Sequence, residues 1–234
     1  MKLGRRTLLK FASLAVVSAH PKAFASEPTS ALYDVIIVGG GGAGLSAAAH
    51  LAAGGKRVLL LEKTKEIGGS TKIASGQWAA SGTKLQKLLE IEDSEELFVK
   101  DMMDIGHHIC DPELVKAFVS ASGREHDWML KNSGIKPTTV MINAGMSVPR
   151  SHQYKASEVT MFYYNYAKKN GAKILTGVKA EHLLWDNDKQ EITGVKVTDK
   201  DGNVKNYGSK NGVLLATGGF ARSPELLAQY SPGS

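Results

Sequence analysis

The sequence predicts an α/β fold that opens with a βαβ unit, carries a helical insertion and closes with an antiparallel β-meander. Three observations lead there. The apolar, β-branched run Leu32–Val38 (LYDVIIV) passes directly into six small residues, Gly39–Gly44, and then into the Ala-rich stretch Leu45–Ala53. Gly54-Gly55 end that stretch, and a second strand, Arg57–Leu61 (RVLLL), follows and closes on Glu62. Such a strand–turn–helix–strand unit of about 30 residues starts a doubly wound sheet. The last third of the chain then changes from helical spacing to short strands divided by Asp, Asn and Gly.

Each later element has its own signal. Ile67–Thr83 is rich in Gly, Ser, Thr and Ala and gives no regular period, whereas Ser94–Asp104 reads as a helix. Asp111-Pro112-Glu113 is a helix start, with a capping acid, Pro in the first turn and Glu beside the positive end of the dipole. Leu114, Val115, Phe118, Val119, Trp128 and Leu130 are its expected packed face, and Gly134 its end. A further helix over Ser157–Lys169 stops at Asn170-Gly171. Strands are expected at Lys173–Val178, Ala180–Trp185, Ile192–Thr198, Val204–Tyr207 and Gly212–Ala216, with hairpin turns at Asp186–Lys189 and Asp201-Gly202-Asn203. Ser223-Pro224-Glu225 starts a last helix.

Composition narrows the class. The 234 residues are 42% apolar and 22% charged, an ordinary globular balance. No apolar run reaches the length of about 18 residues that a membrane helix needs. The net charge of +6 comes mostly from residues 1–25, which hold five bases and no acid; the rest has 24 bases against 23 acids. The basic balance therefore gives no indication of nucleic acid. With Cys110 alone, the sequence has no internal disulfide, no c-type haem motif and no cysteine-built metal site.

Met1–Ala25 reads as an export signal. Lys2, Arg5 and Arg6 precede the short apolar core Phe11–Ala19, and Ala23-Phe24-Ala25 is a small-x-small cleavage pattern. Arg5-Arg6-Thr7-Leu8-Leu9-Lys10 is close to a twin-arginine signal; a Sec signal with two arginines is the alternative. The expected domains are the signal, 1–25, and one α/β domain, 26–234, in the periplasm.

The function is carried by Gly39-Gly40-Gly41-Gly42-Ala43-Gly44. Gly39, Gly41 and Gly44 make G-x-G-x-x-G between a strand and a helix, and Glu62 stands 18 residues after Gly44 at the end of the second strand. Gly39 permits the tight turn, Gly41 lets backbone approach a pyrophosphate, and Gly44 lets helix and strand pack closely. The helix N-terminus stabilises phosphate charge, and Glu62 accepts from ribose hydroxyls. The fingerprint alone does not separate FAD from NAD. Non-covalent FAD is favoured by the compartment, since a folded protein exported by the twin-arginine route carries its cofactor along. A second small-residue cradle, Gly68–Gly76 behind Glu62-Lys63, points the same way.

VIIVGGGGAGLSAAAHLA, VLLLEK, IGGSTKIASGQWAASGT, DPELVKAF, SVPRSH and LLATGGFARSPELL together resemble the FAD-binding domain of the fumarate reductase/succinate dehydrogenase flavoprotein family, over 33–234. Within that family the soluble periplasmic flavocytochrome c fumarate reductases and urocanate reductases look most alike. The resemblance implies FAD contacts at Ala43, Glu62, Ser70, Thr71, Ser75 and Gly76, backbone contacts at Val178, and closure of the pocket by Ala216-Thr217-Gly218; Gly42 of the glycine run and Lys63 beside Glu62 are further cofactor candidates. It also implies that Gly76 lies near substrate, and His152 is a further substrate-proximal candidate from the residues themselves. Departures are Gly76-Gln77 where the family has Gly-Gly, Ser70 where it has Asn, and Gln153–Val159 where it has a Gly-rich stretch.

The implied reaction is hydride transfer between flavin N5 and an activated alkene such as fumarate or urocanate. Electrons would come from a periplasmic cytochrome c or a quinol-linked donor. The resemblance places a capping domain and a second FAD segment beyond these residues, so no catalytic acid is assigned. Two alternatives stay open: a truncated or split-gene FAD-binding fragment, inactive alone and completed by a separate cap-domain subunit, and a flavoprotein like 3-ketosteroid dehydrogenase.

Other signals are weaker. Arg150-Ser151-His152 fits a pair facing a carboxylate or the flavin edge, or equally a surface loop. His107-His108 and Cys110 lack partners at ligand spacing, so no metal is expected. Met102-Met103 and Tyr163-Tyr164-Tyr166 fit core or interface, and Trp78 fits packing or stacking near the flavin. Asp186 and Asp188 fit a hairpin turn.

Overall fold

A computed structural model describes residues 29–221 and 223–233; the export signal lies outside the described residues. The expected first strand is two. Ala31–Tyr33 (β1) and Val35–Val38 (β2) belong to different sheets, divided at Asp34. The Asp34 carboxylate accepts from the Arg57 N–H at 2.7 Å, and its carbonyl accepts from Asn211 N–H at 3.0 Å. Those bonds turn the backbone from one sheet to the other, and the apolar, β-branched residues on either side of Asp34 hid the break.

The βαβ unit is present: β2, helix α1 (Gly42–Ala53) and β3 (Val58–Glu62). With β7 (Lys173–Thr176) and β11 (Val213–Leu215) they form a parallel sheet in the order β11-β2-β3-β7. Its central strands β2 and β3 are apolar on both faces because both faces are covered there, whereas the edge strands β7 and β11 are partly exposed. Ile37 and Leu60 pack against Leu45, Ala48, Ala49 and Ala52 of α1 and Tyr163 and Ala167 of α6 (Ala156–Lys169). Ile36, Val38, Leu59 and Leu61, on the alternate positions, pack against Val195, Val197 and Tyr207 of the second sheet.

That second sheet is the expected meander. β8 (Val178–Asp186), β9 (Glu191–Asp199) and β10 (Val204–Ser209) are antiparallel neighbours, and β1 adds to β10 in parallel. Both expected turns are present: Asp186 Oδ1 accepts from Asp188 and Lys189 N–H, and the second turn is held by Asp199, which the sequence did not single out, its Oδ1 accepting from Asp201 and Asn203 N–H.

Between β3 and α6 lies the insertion. It holds α2 (Gly69–Lys72), β4 (Gln77–Ala79), α3 (Lys84–Leu88), α4 (Glu95–Ile105), α5 (Pro112–Ser133), β5 (Thr139–Met141) and β6 (Ser151–Gln153). β4, β6 and β5 make a small antiparallel sheet, which three-residue strands without a long period did not announce in the sequence. α5 starts on its Asp111 cap and ends at Gly134 (φ 70°) as expected. Its packed face differs: Val115, Val119 and Met129 are buried, while Leu114 and Phe118 are 70% and 48% exposed. Helix α7 (Pro224–Tyr230) begins at Ser223, whose hydroxyl accepts from Leu226 N–H. No described helix is long and apolar enough to cross a membrane.

Candidate cofactor site

The carboxyl ends of the parallel strands converge on the glycine turn. Gly39 has φ 112° and lies so close to Ala216, just after β11, that a methyl group there would sit 2.2 Å from the Ala216 carbonyl oxygen. A methyl group on Gly44 would sit 1.9 Å from the Gly39 carbonyl oxygen, so only glycine lets α1 start this close to β2. Gly41 is different. A methyl group there would meet nothing nearer than the Gly68 carbonyl oxygen at 4.0 Å. The fold does not require glycine at Gly41, and the space beside it, at the positive end of α1, suits a phosphate.

Other predicted residues border this turn. Glu62 Oε2 accepts from Gly40 N–H at 2.8 Å, and Oε1 accepts from the Thr64 N–H and hydroxyl, both at 2.8 Å. A carboxylate has lone pairs beyond these three bonds, which leaves capacity for a ribose hydroxyl. Thr64 carbonyl oxygen accepts from Gly177 N–H at 2.8 Å, which brings the start of β8 at Val178 beside the end of β3. Val178 itself is buried between the sheets, so only its backbone is available to a ligand. Thr217 and Gly218 follow Ala216 on the exposed side of the turn.

On the other side of α1 lies a cavity of about 570 Å³. Gly42, Ala43, Thr71, Ser75 and Gly76, all expected from the sequence, line it together. The Thr71 hydroxyl accepts from Gly42 N–H at 3.1 Å and holds the α2 loop against the start of α1. Gly76 has φ 85°, and a methyl group there would sit 1.9 Å from the Tyr154 carbonyl oxygen. Lys63 and Ser70 are exposed and outside the cavity lining.

Several wall residues were missed or left open by sequence reasoning. Trp78 lines the cavity and also packs edge-on against His126, with ring centroids 5.8 Å apart. Glu125 of α5 and Tyr163 of α6 meet at the wall, the Tyr163 hydroxyl donating to Glu125 at 2.6 Å. Burial, with the Glu125 carboxylate, pushes the Tyr163 phenol well above its ordinary range. No sequence signal joined Glu125, Tyr154 and Tyr163, since their elements meet only in the fold.

Arg150 corrects both expectations held for it. It lies in the loop just before β6, but it is neither at the surface nor free to grip a ligand, being fully buried between two carboxylates of its own chain. Its Nη2 and Nε bond Asp93 at 2.8 and 3.1 Å, its Nη1 bonds Asp101 at 2.7 Å, and Phe98 stacks on the guanidinium at 4.5 Å. Burial raises the Asp101 carboxyl, but Ser147 and Arg150 outweigh it and hold the pKa below the ordinary value.

His152 is likewise buried and is not in the cavity wall; it stands behind Trp78, its β-ladder partner. Its Nδ1 faces the Trp78 and Arg150 carbonyl oxygens at 3.3 and 3.0 Å, so Nδ1 carries the proton and Nε2 accepts from the Thr83 hydroxyl at 3.1 Å. Burial, with His126 beside it, lowers the pKa to about 4. Among the described residues no group of three or more His, Cys, Asp or Glu is placed to hold a metal ion.

The family profile described as FAD binding domain matches residues 34–233. The chain belongs to the FAD-binding domain family. Its cofactor is FAD, and the glycine turn, the open space at Gly41 and the adjoining cavity fit that group. Among the relatives of this FAD-binding domain is "Fumarate reductase (cytochrome)" of Shewanella frigidimarina, 37% identical over 92% of this chain and 38% of that protein. Urocanate reductase of Eggerthella lenta is 33% identical over 89% of this chain and 35% of the relative. The open conformation of a flavocytochrome c3 fumarate reductase superposes with a TM-score of 0.80 at 27% identity, over 99% of this chain and 39% of that one. A 3-ketosteroid-delta4-(5alpha)-dehydrogenase from Rhodococcus jostii has a TM-score of 0.79 at 22% identity, covering 90% of this chain and 50% of its own, a likeness of fold. The chain thus spans under two fifths of the two reductases' length.

Proposed function

We propose that this chain is the FAD-binding domain of an exported flavoprotein reductase that saturates the activated C=C bond of a small unsaturated acid, of which fumarate and urocanate are the leading candidates. The observation that carries it is the site itself: a glycine turn where a methyl group on Gly41 would meet no atom nearer than 4.0 Å, continuous in sequence with Gly42 and Ala43 of the cavity wall, in a chain whose relatives include reductases of both acids. FAD, when bound, supplies the hydride chemistry. The chain's own residues do the holding. The α1 N-terminus and glycine turn take the diphosphate, Glu62 the ribose, Val178 and Ala216–Gly218 the backbone closure, and Thr71, Ser75 and Gly76 the flavin side.

The described cavity wall has no Lys or Arg, and Arg150 is committed to Asp93 and Asp101. A carboxylate substrate needs a cation at its binding site. We therefore place the substrate-binding cations outside this described wall and assign them, with the proton donor, to a capping domain of the same protein or to a separate subunit. The electron donor is a periplasmic cytochrome c or a quinol-linked protein, reached by export through the twin-arginine signal. The test is a visible spectrum of the exported protein, then oxidation of reduced viologen by fumarate or urocanate with its capping partner present. A flavin band and acid-dependent turnover are expected. Steroid oxidation with a dye acceptor, and none with either acid, would transfer the protein to the dehydrogenase reading.

A further inference from the structure

Behind the cavity runs a line of buried side chains for which FAD binding as described above has no use. The wall at Ser75–Gly76 is zipped to the segment after β6. Tyr154 N–H donates to the Gly76 carbonyl oxygen at 2.9 Å, and the Gln153 side-chain amide donates to the Ser75 carbonyl oxygen at 2.6 Å. Tyr154 also lines the cavity, and its hydroxyl reaches His126 Nε2 at 2.7 Å across the gap to α5. His126 is fully buried. Its Nδ1 faces the Asp127 carboxylate at 3.2 Å, so that nitrogen holds the proton and Nε2 is left to accept from the Tyr154 hydroxyl. The His126 ring lies 4.1 Å from His152 and edge-on to Trp78, the next large wall residue. Burial favours the un-ionised forms of both the Tyr154 phenol and the His126 imidazole, which is the pairing this bond requires.

We propose that His126 is a positioning residue for the flavin: by accepting from the Tyr154 hydroxyl it fixes Tyr154, and through Tyr154 the Gly76–Trp78 wall, against the cofactor. This rests on the FAD reading above. The bond adds a link from α5 to the β6–α6 connection, which the Tyr154 and Gln153 bonds already tie to the α2–β4 loop. The bond lies directly behind the wall formed by Ser75, Gly76 and Trp78, on which the flavin would rest in the reading above.

The test is FAD affinity by flavin fluorescence in the full chain at neutral pH, with the visible band shape as a second signal. Tyr154→Phe and His126→Leu each weaken FAD about fivefold or more, the scale of one net hydrogen bond. Tyr154→Phe/His126→Leu is no weaker than the poorer single variant, because both remove the same link. His126→Gln, whose amide oxygen offers an acceptor near the place of Nε2, stays within about twofold of the original and keeps its band shape. It also decides the matter if His126→Leu does not fold. Unchanged affinity in Tyr154→Phe, or His126→Gln binding as weakly as Tyr154→Phe, overturns the inference while the FAD reading stands. An original chain that takes up no FAD overturns both.

Discussion

At the scale of single residues, neutral histidine is the feature that solution conditions act on most directly. His152 is buried with both ring nitrogens bonded, and its pKa falls from 6.5 to about 4. His126, at 4.1 Å, is shifted in the same direction by burial. The sign follows from proton counts. Between the folded and unfolded values the unfolded chain binds more protons, so stability rises with pH across that window. It is complete above about pH 6.5 and is lost as pH falls towards 4, by up to about 3 kcal/mol for His152. Urea unfolding at several pH values should show that slope, and His152→Gln should flatten it; an equal slope in the variant would assign the loss to other groups. This pairing was not legible in the sequence. His126 and His152 come from a helix and a three-residue strand far apart in the sequence, whose rings meet only once the chain has folded.

At the scale of elements, the small sheet and α4 are tied by ions instead of by a broad apolar face. Arg150, just before β6, holds Asp93 ahead of α4 and Asp101 within it, and all three are buried or nearly so. Removing the cation leaves two carboxylates without a counter-charge, though Ser147 still donates to Asp101 and Gln86 and Ser94 to Asp93. Arg150→Leu should therefore cost about 3–5 kcal/mol by chemical denaturation. A cost below about 1 kcal/mol would mean that the carboxylates are better hydrated than their burial indicates. The cap of α5 is more modest. Asp111 Oδ1 accepts from Glu113 N–H at 2.9 Å and from Leu114 N–H at 3.3 Å, so Asp111→Ala should cost about 1 kcal/mol in the same measurement. That helix start was plain in Asp111-Pro112-Glu113 because capping is local chemistry. The split of β1 from β2, and the exposure of Leu114 and Phe118, were not plain, because they depend on which neighbours arrive from elsewhere in the chain.

At the scale of the whole molecule, a parallel sheet is covered by helices on one face and by the antiparallel sheet on the other, with the glycine turn at its carboxyl edge. Most of that cofactor edge could be read from sequence, since each glycine has a separate physical reason and Glu62 ends the next strand. The cavity's far wall could not, because Glu125, Tyr154 and Tyr163 converge only when α5, β6 and α6 pack. The most direct test is FAD titration of the original chain and of Gly41→Ala, followed by flavin fluorescence, with thermal unfolding of the apoproteins alongside. A methyl group at Gly41 meets no protein atom nearer than 4.0 Å. Apoprotein stability should thus stay within about 0.5 kcal/mol of the original, while FAD affinity falls about tenfold or more from blocked approach of the diphosphate. Equal FAD affinity in the two proteins, or no uptake by either, would contradict the assignment of that turn to the dinucleotide.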